Sequence, residues 1–206
     1  MMNRAAYGLM FVGLVLGVPT LMVEPRVMLG LGVLTLVGAS GYSGKPFGLK
    51  YRALGDATVF LLCGPLLCFG ASIAMFGRAI PGVWPIGALF GAAATAILHV
   101  NNMQDVEVDK RAGAKTIALT LGPAGSKLYL ILLYTGAAIA WCALRLPLVP
   151  FIVGALGFIP AVRLLARVVM APRLDVFPQL RIQAAQAHLA IGAAVAVALT
   201  IVGVSS

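Results

Sequence analysis

The sequence predicts an all-α integral membrane helix bundle of about seven transmembrane helices, and three observations predict it. The chain is 61% hydrophobic and 10% charged, with a mean hydropathy of +1.03, whereas a soluble domain carries roughly 25% charged residues. Apolar runs long enough to cross a hydrocarbon core of ~30 Å, which takes about 17–25 residues, recur along its length. The basic residues between those runs fall almost entirely on alternate connections. Lipid is therefore the solvent for most of this surface, and backbone polar groups must be satisfied inside helices.

The runs, in order, are 5–23, 27–43, 57–77, 83–100, 127–144, 146–166 and 184–204. The second is short and rich in glycine, and the sixth contains Pro150 and Pro160. The first is too long for the apolar core of a cleavable signal peptide, and no small-residue cleavage site follows it, so it is read as a span. Alternation puts Arg4, Lys45, Lys50, Arg52, Lys110, Arg111, Lys115, Lys127, Arg163, Arg167, Arg173 and Arg181 on one side, and only Arg26, Arg78 and Arg145 on the other. Basic residues are retained on the cytoplasmic side. The expectation is a multi-pass protein of the cell inner membrane, N-terminus cytoplasmic and C-terminus periplasmic or extracellular. An odd number of spans preserves this segregation. The net charge of +9 is thus accounted for by topology, and no nucleic-acid partner is expected.

Residues 1–206 read as a single transmembrane domain, because no long linker, repeat or low-complexity tract divides them. Gly13 and Gly17, and again Gly87 and Gly91, are spaced for close helix approach and are expected to serve bundle packing rather than dimerisation. Cys63, Cys68 and Cys142 lie inside apolar runs without metal-ligand spacing and are expected to be packing residues.

The two long polar connections, 41–56 and 101–125, both belong to the basic side, and function is sought there. Only six residues are acidic: Glu24, Asp56, Asp105, Glu107, Asp109 and Asp175. Three of them fall between positions 105 and 109. If the fourth span continues as a helix past His99, Asn102, Asp105 and Asp109 share one face and Glu107 points elsewhere. Carboxylates one turn apart repel each other unless a cation lies between them. Carboxylate and amide oxygens suit Mg²⁺, which then usually binds substrate phosphate as well. Lys110, Arg111 and Lys115 follow and could contact phosphate oxygens. The alternative is a solvated loop of mixed charge. In the other connection Tyr42, Ser43, Lys45, Lys50, Tyr51 and Arg52 surround Pro46. They form either an interfacial anchor or a second wall around an anionic group. A phosphate-loop motif is excluded, since it requires Gly at 39 and Ser or Thr at 46, where Ala39 and Pro46 stand.

These connections resemble those of the UbiA superfamily of intramembrane prenyltransferases, most closely the 1,4-dihydroxy-2-naphthoate prenyltransferases of menaquinone synthesis. The run Asn101-Asn102-x-x-Asp105-x-x-x-Asp109-Lys110-Arg111-Ala112-Gly113-x-Lys115-Thr116, then Leu121-Gly122, resembles the family's second aspartate-rich motif. Tyr42-Ser43-Gly44 through Tyr51-Arg52-x-Leu54-Gly55, with Gly64-Pro65, is similar to its preceding loop of tyrosine and lysine. His188 falls where the family's last helix is expected.

The resemblance implies Mg²⁺-dependent transfer of a polyprenyl group from a polyprenyl diphosphate to an aromatic acceptor in quinone biosynthesis. It implies Asp105, Asp109 and Lys115 as catalytic residues and Asp105, Asp109 and Asn102 as metal ligands. Tyr42, Lys50, Arg52, Asn101, Asn102 and Lys110 would bind substrate. It also implies nine helices and an earlier NDxxD motif. Before residue 40 the only acid is Glu24, so the chain resembles the last seven helices, and little activity is expected of it alone. A partner chain is one source of the two further helices. The alternatives are another acceptor (4-hydroxybenzoate, a chlorophyllide or glycerol phosphate) and a non-enzymatic half-transporter or scaffold. Charges near span centres would favour the last, and none is seen.

Overall fold

The computed structural model describes residues 2–44, 47–171 and 179–205. Among them no strand occurs, and the sequence folds as α1 (Met2–Gly17), α2 (Pro25–Ser43), α3 (Gly55–Leu61), α4 (Leu67–Phe76), α5 (Val83–Gln104), α6 (Val106–Arg111), α7 (Ile117–Ala143), α8 (Leu148–Leu156), α9 (Ile159–Met170) and α10 (Leu180–Ser205). A π turn at Leu62–Leu66 joins α3 to α4 around Pro65. Proline lacks the N–H that a regular helix needs there, and the wider turn accommodates its ring.

Each of the seven expected regions is helical. Among the described residues, five continuous helices are long and apolar enough to cross a membrane: Pro25–Ser43, Gly55–Phe76, Val83–Gln104, Ile117–Ala143 and Leu180–Gly203. The pair α8 and α9 makes a sixth if the 42° bend between them is counted within one span. The N-terminal region is the shortest, its apolar part being Phe11–Met22. The fifth span starts at Ile117 rather than at 127. Its first turns were hidden because Gly122 (φ 65°) and Pro123 kink the helix and read as a loop.

The central helix is α5, whose Leu89, Ala93, Ala96 and His99 are fully buried. Around it pack α3, α7 and α10, with Leu130, Ala137, Ala184, Ala187 and Ile191 completing the interior. Small residues let the backbones touch: a Cβ placed on Gly64 would lie 2.4 Å from the Gly87 carbonyl oxygen and 2.5 Å from the Gly91 Cα. The Gly87/Gly91 spacing therefore serves packing within this chain, as expected. Gly13 and Gly17 differ, since a Cβ on either would meet nothing within 4 Å. Cys63 and Cys142 are also on outward faces rather than packed inside.

The end of α9 is tied to α7 by a side-chain contact. The Lys127 ammonium on α7 donates to the carbonyls of Val169 (3.2 Å) and Ala171 (2.6 Å). These are carbonyls at the end of α9, where the helix dipole favours a cation and acceptors lack helical partners. Lys127→Met keeps the apolar stem and removes the charge. It is expected to cost about 1 kcal/mol, a fall of ~2–4 °C in Tm. Thermal unfolding in detergent checks this, and an unchanged Tm would show that the contact contributes nothing.

Candidate functional site

The two long connections leave the bundle at the same end, and the backbone joins them. Lys115 N donates to Tyr51 O (3.0 Å) and Ala53 N donates to Lys115 O (2.5 Å), a parallel bridge between Arg52 and Lys115. Gly55 allows the approach: a Cβ there would stand 3.2 Å from Lys50 Cα and 3.6 Å from the Tyr42 ring. Tyr42 and Lys50 are thus gathered at the start of α3. The Lys50 ammonium lies 4.6 Å from the centre of the Tyr51 ring.

The acidic cluster is not on one continuous helix, contrary to expectation. Helix α5 ends at Gln104, Asp105 takes φ −96° and ψ 10°, and α6 begins at Val106. The helical register nevertheless survives, because Asp105 N bonds Asn101 O (3.0 Å) and Asp109 N bonds Asp105 O (2.8 Å). Asp105 and Asp109 therefore remain one turn apart. Burial pushes the Asp109 carboxyl above the usual range, the Asp105 carboxylate pushes it further, and Lys50 draws it back. Glu107 is exposed. Asp105 is gripped by Arg181 at the start of α10, whose Nε also donates to Gln104 Oε1 at 2.7 Å. Arg181 figured in the sequence only as a topological charge.

Of the other expected residues, Lys110, Arg111 and Lys115 are exposed at the rim and Asn101 is partly buried. Asn102 turns its amide nitrogen toward Asp56 Oδ1, at 3.5 Å. Lys45, Pro46, Arg173 and Asp175 lie outside the described residues. His188 meets Phe90 edge to face, ring centres 6.0 Å apart, and takes no part in the cluster.

Asp105 and Asp109 are oxygen donors that could hold a divalent cation between them; Lys50 draws the Asp109 carboxyl down, and Asp105 is already paired with Arg181. Among the described residues no third His, Cys, Asp or Glu joins them. A cation held by two carboxylates completes its shell with phosphate oxygens and water, the habit of Mg²⁺.

A second polar cluster lies beside this one and was not picked out from the sequence. Asp56, in the first turn of α3, is 4% exposed, and His99 on α5 is fully buried. His99 Nδ1 stands 3.5 Å from Asp56 Oδ2. His99 Nε2 lies 3.1 Å from the Ser126 carbonyl oxygen, which only accepts, so Nε2 carries a proton and Nδ1 faces the carboxylate. The Tyr129 ring meets His99 edge to face, ring centres 4.7 Å apart. Asp56 and Tyr129 border a cavity of about 370 Å³, which Thr95 and apolar side chains including Phe60, Leu61 and Leu133 also line. The one signal in the sequence was rarity: an acid and a histidine in a chain with six acids and two histidines.

The model of the UbiA prenyltransferase family matches residues 2–182. The chain is 35% identical over 117 residues to the 1,4-dihydroxy-2-naphthoate octaprenyltransferase of Haemophilus influenzae, covering 55% of this chain and 37% of that protein. It is 30% identical over 111 residues to the 1,4-dihydroxy-2-naphthoate octaprenyltransferase of Escherichia coli, covering 53% and 35%. It is 36% identical over 95 residues to the UbiA prenyltransferase domain-containing protein 1 of Dictyostelium discoideum, covering 46% and 29%. The matched segment thus spans only about a third of the length of these relatives. No solved structure matches the chain significantly.

Proposed function

The chain belongs to the UbiA prenyltransferase family, and on that premise we propose that it carries out transfer of a polyprenyl group from its diphosphate to an aromatic acceptor. The acceptor is of the 1,4-dihydroxy-2-naphthoate kind named for two of its relatives, which makes quinone biosynthesis the setting. The observation that carries the reading is the backbone bridge at Arg52 and Lys115, which gathers a lysine-bearing loop and a carboxylate pair at one end of an apolar bundle. Such a combination suits an anionic head group attached to a lipid-soluble tail.

Asp105 and Asp109 would hold Mg²⁺, with the Asn102 amide oxygen as a third donor. Bound there, the ion supplies charge neutralisation for the departing diphosphate. Lys50, Lys110 and Lys115 bind diphosphate oxygens and orient the allylic carbon, with Arg52 and Asn101 at the rim and Tyr42 as a side wall. A preorganised cluster of this sort is worth most where water is excluded. The surrounding apolar helices exclude it and protect the reactive prenyl group from hydrolysis. In this reading the basic side of the bundle faces the cytoplasm, N-terminus inside, in the cell inner membrane.

Purified chain in lipid nanodiscs tests this. Polyprenyl diphosphate is expected to bind in a Mg²⁺-dependent manner and to be released by EDTA. With 1,4-dihydroxy-2-naphthoate added, prenylated product is expected to form slowly. The described residues supply one carboxylate pair, and diphosphate departure needs several charges neutralised together. Binding that ignores Mg²⁺, or none, would overturn the proposal.

A further inference from the structure

We propose that the outward groove between the broken span α8–α9 and helix α10 holds one acyl chain of an anionic phospholipid, whose phosphate is bound by Arg163 and Arg167. This site is separate from the carboxylate pair and does not rest on the prenyl-transfer reading.

The break in the span makes the groove. At Gly157 the chain passes so close to α10 that a Cβ there would lie 2.7 Å from Ala194 Cβ and 2.9 Å from Ala190 O. Helices α8 and α9 meet there at a bend of 42°, and Ala190 and Ala194 of α10 are too small to fill the angle. What remains is an apolar groove of about 460 Å³, also lined by Val153, Pro160 and Val197. It lies near the middle of both spans and opens outward, Ile159 and Val197 on its rim being 43% and 52% exposed. Water in it would have no hydrogen-bond partners, so hydrocarbon fills it.

Two arginines set the charge of the occupant. Helix α9 runs to Met170, past the end expected at 166, which places Arg163 ~10 Å inside it at about 1.5 Å per residue. Pro160, Arg163 and Arg167 stand at i, i+3 and i+7 and share one face. The arginines therefore continue the groove toward the end of the bundle where Arg181 grips Asp105. Both are exposed, and among the described residues neither makes a side-chain hydrogen bond or an ion pair. A lipid-facing guanidinium at that depth is costly without a counter-charge, and extending its stem brings it only part of the way to the interface. Phosphate oxygens match the guanidinium fork. Gln186, exposed one turn before Ala190 on the same face of α10, adds a neutral donor at a similar depth. An anionic phospholipid has both parts in the right order, charge toward the interface and chain along the helices toward the bilayer centre. A soluble anion leaves the groove unfilled, and a zwitterionic lipid leaves the arginine charge unbalanced. A second copy docking through this face would set arginine against arginine.

The test is native mass spectrometry of the purified chain in detergent, titrated with dioleoylphosphatidylglycerol or with dioleoylphosphatidylcholine. The phosphatidylglycerol is expected to bind about tenfold more tightly or better, the scale of two arginines acting on one lipid charge. Equal affinities in the unmodified chain would overturn the proposal, whatever the variants do. In the double variant Arg163→Gln and Arg167→Gln the preference should shrink to about twofold, and an undiminished preference would overturn the role of the arginines. Ala193→Leu fills the groove from an exposed position and leaves every charge in place. It is expected to weaken phosphatidylglycerol binding severalfold, whereas attraction to the basic end of the bundle in general would not change, and an unchanged affinity would overturn the groove. Thermal unfolding reads the same site: phosphatidylglycerol should raise the Tm, and an equal rise with inorganic phosphate would assign the site to a soluble anion and overturn the lipid. Displacement of phosphatidylglycerol by equimolar farnesyl thiolodiphosphate would assign the groove to a prenyl donor and overturn it as well.

Discussion

Asp109→Asn is expected to lower prenyl transfer by ~10²–10³-fold, the usual cost of removing one preorganised electrostatic group, while the metal-free protein becomes no less stable. The two effects have one cause. Burial and the Asp105 carboxylate both disfavour the charged form of Asp109 and raise its pKa. For a carboxyl whose folded value is raised, folding is favoured below that value and loses stability as pH rises through it. At neutral pH without Mg²⁺ the charge is therefore a burden to the fold, and the neutral amide removes it. Added Mg²⁺ should raise the Tm of the unmodified chain and leave the variant unmoved. Asp105→Asn should cost activity similarly but also release Arg181, so its metal-free Tm should not rise. Exposed Glu107, changed to Gln, should alter activity by only a few fold. Product formation per enzyme and Tm with and without Mg²⁺ check all three. Equal losses at positions 105, 107 and 109 would refute the assignment of the carboxylate pair.

Gly64→Ala is expected to damage the fold severely. Its Cβ would meet backbone, lying 2.4 Å from Gly87 O, 2.5 Å from Gly91 Cα and 2.7 Å from Gly91 N. Side chains can change rotamer to make room, but two helix backbones cannot. Relief requires α3 and its π turn to move off α5. Overpacking of this sort costs typically ~1–3 kcal/mol and occasionally more, and about 3 kcal/mol corresponds to a fall of ~6–12 °C in Tm. The same movement would carry Asp56 on α3 away from His99 on α5. Gly13→Ala is the control, since nothing lies within 4 Å of its Cβ position. Similar Tm values for the two variants would show that the α3–α5 contact is not as close as described.

The helical regions and the polar end of the bundle were legible in the sequence because lipid solvation acts residue by residue. Apolar run length and hydropathy report it directly, and so does the position of each lysine or arginine. The Asp105 and Asp109 pair was legible for a similar reason: it depends on spacing within a few residues, and the register survives even though the helix breaks at Asp105. Side-chain partners across the bundle were not legible. The extension of α7 back to Ile117 was obscured by the Gly122 and Pro123 kink. Arg181 reached Asp105 only through the docking of α10. The Asp56 and His99 pair, and the cavity that Asp56 borders, exist because Gly64, Gly87 and Gly91 bring α3 against α5. Hydropathy places helices in a membrane but does not choose their neighbours. That choice is made by close packing of backbones and by the requirement that buried polar groups find partners, and both act between residues far apart in the chain.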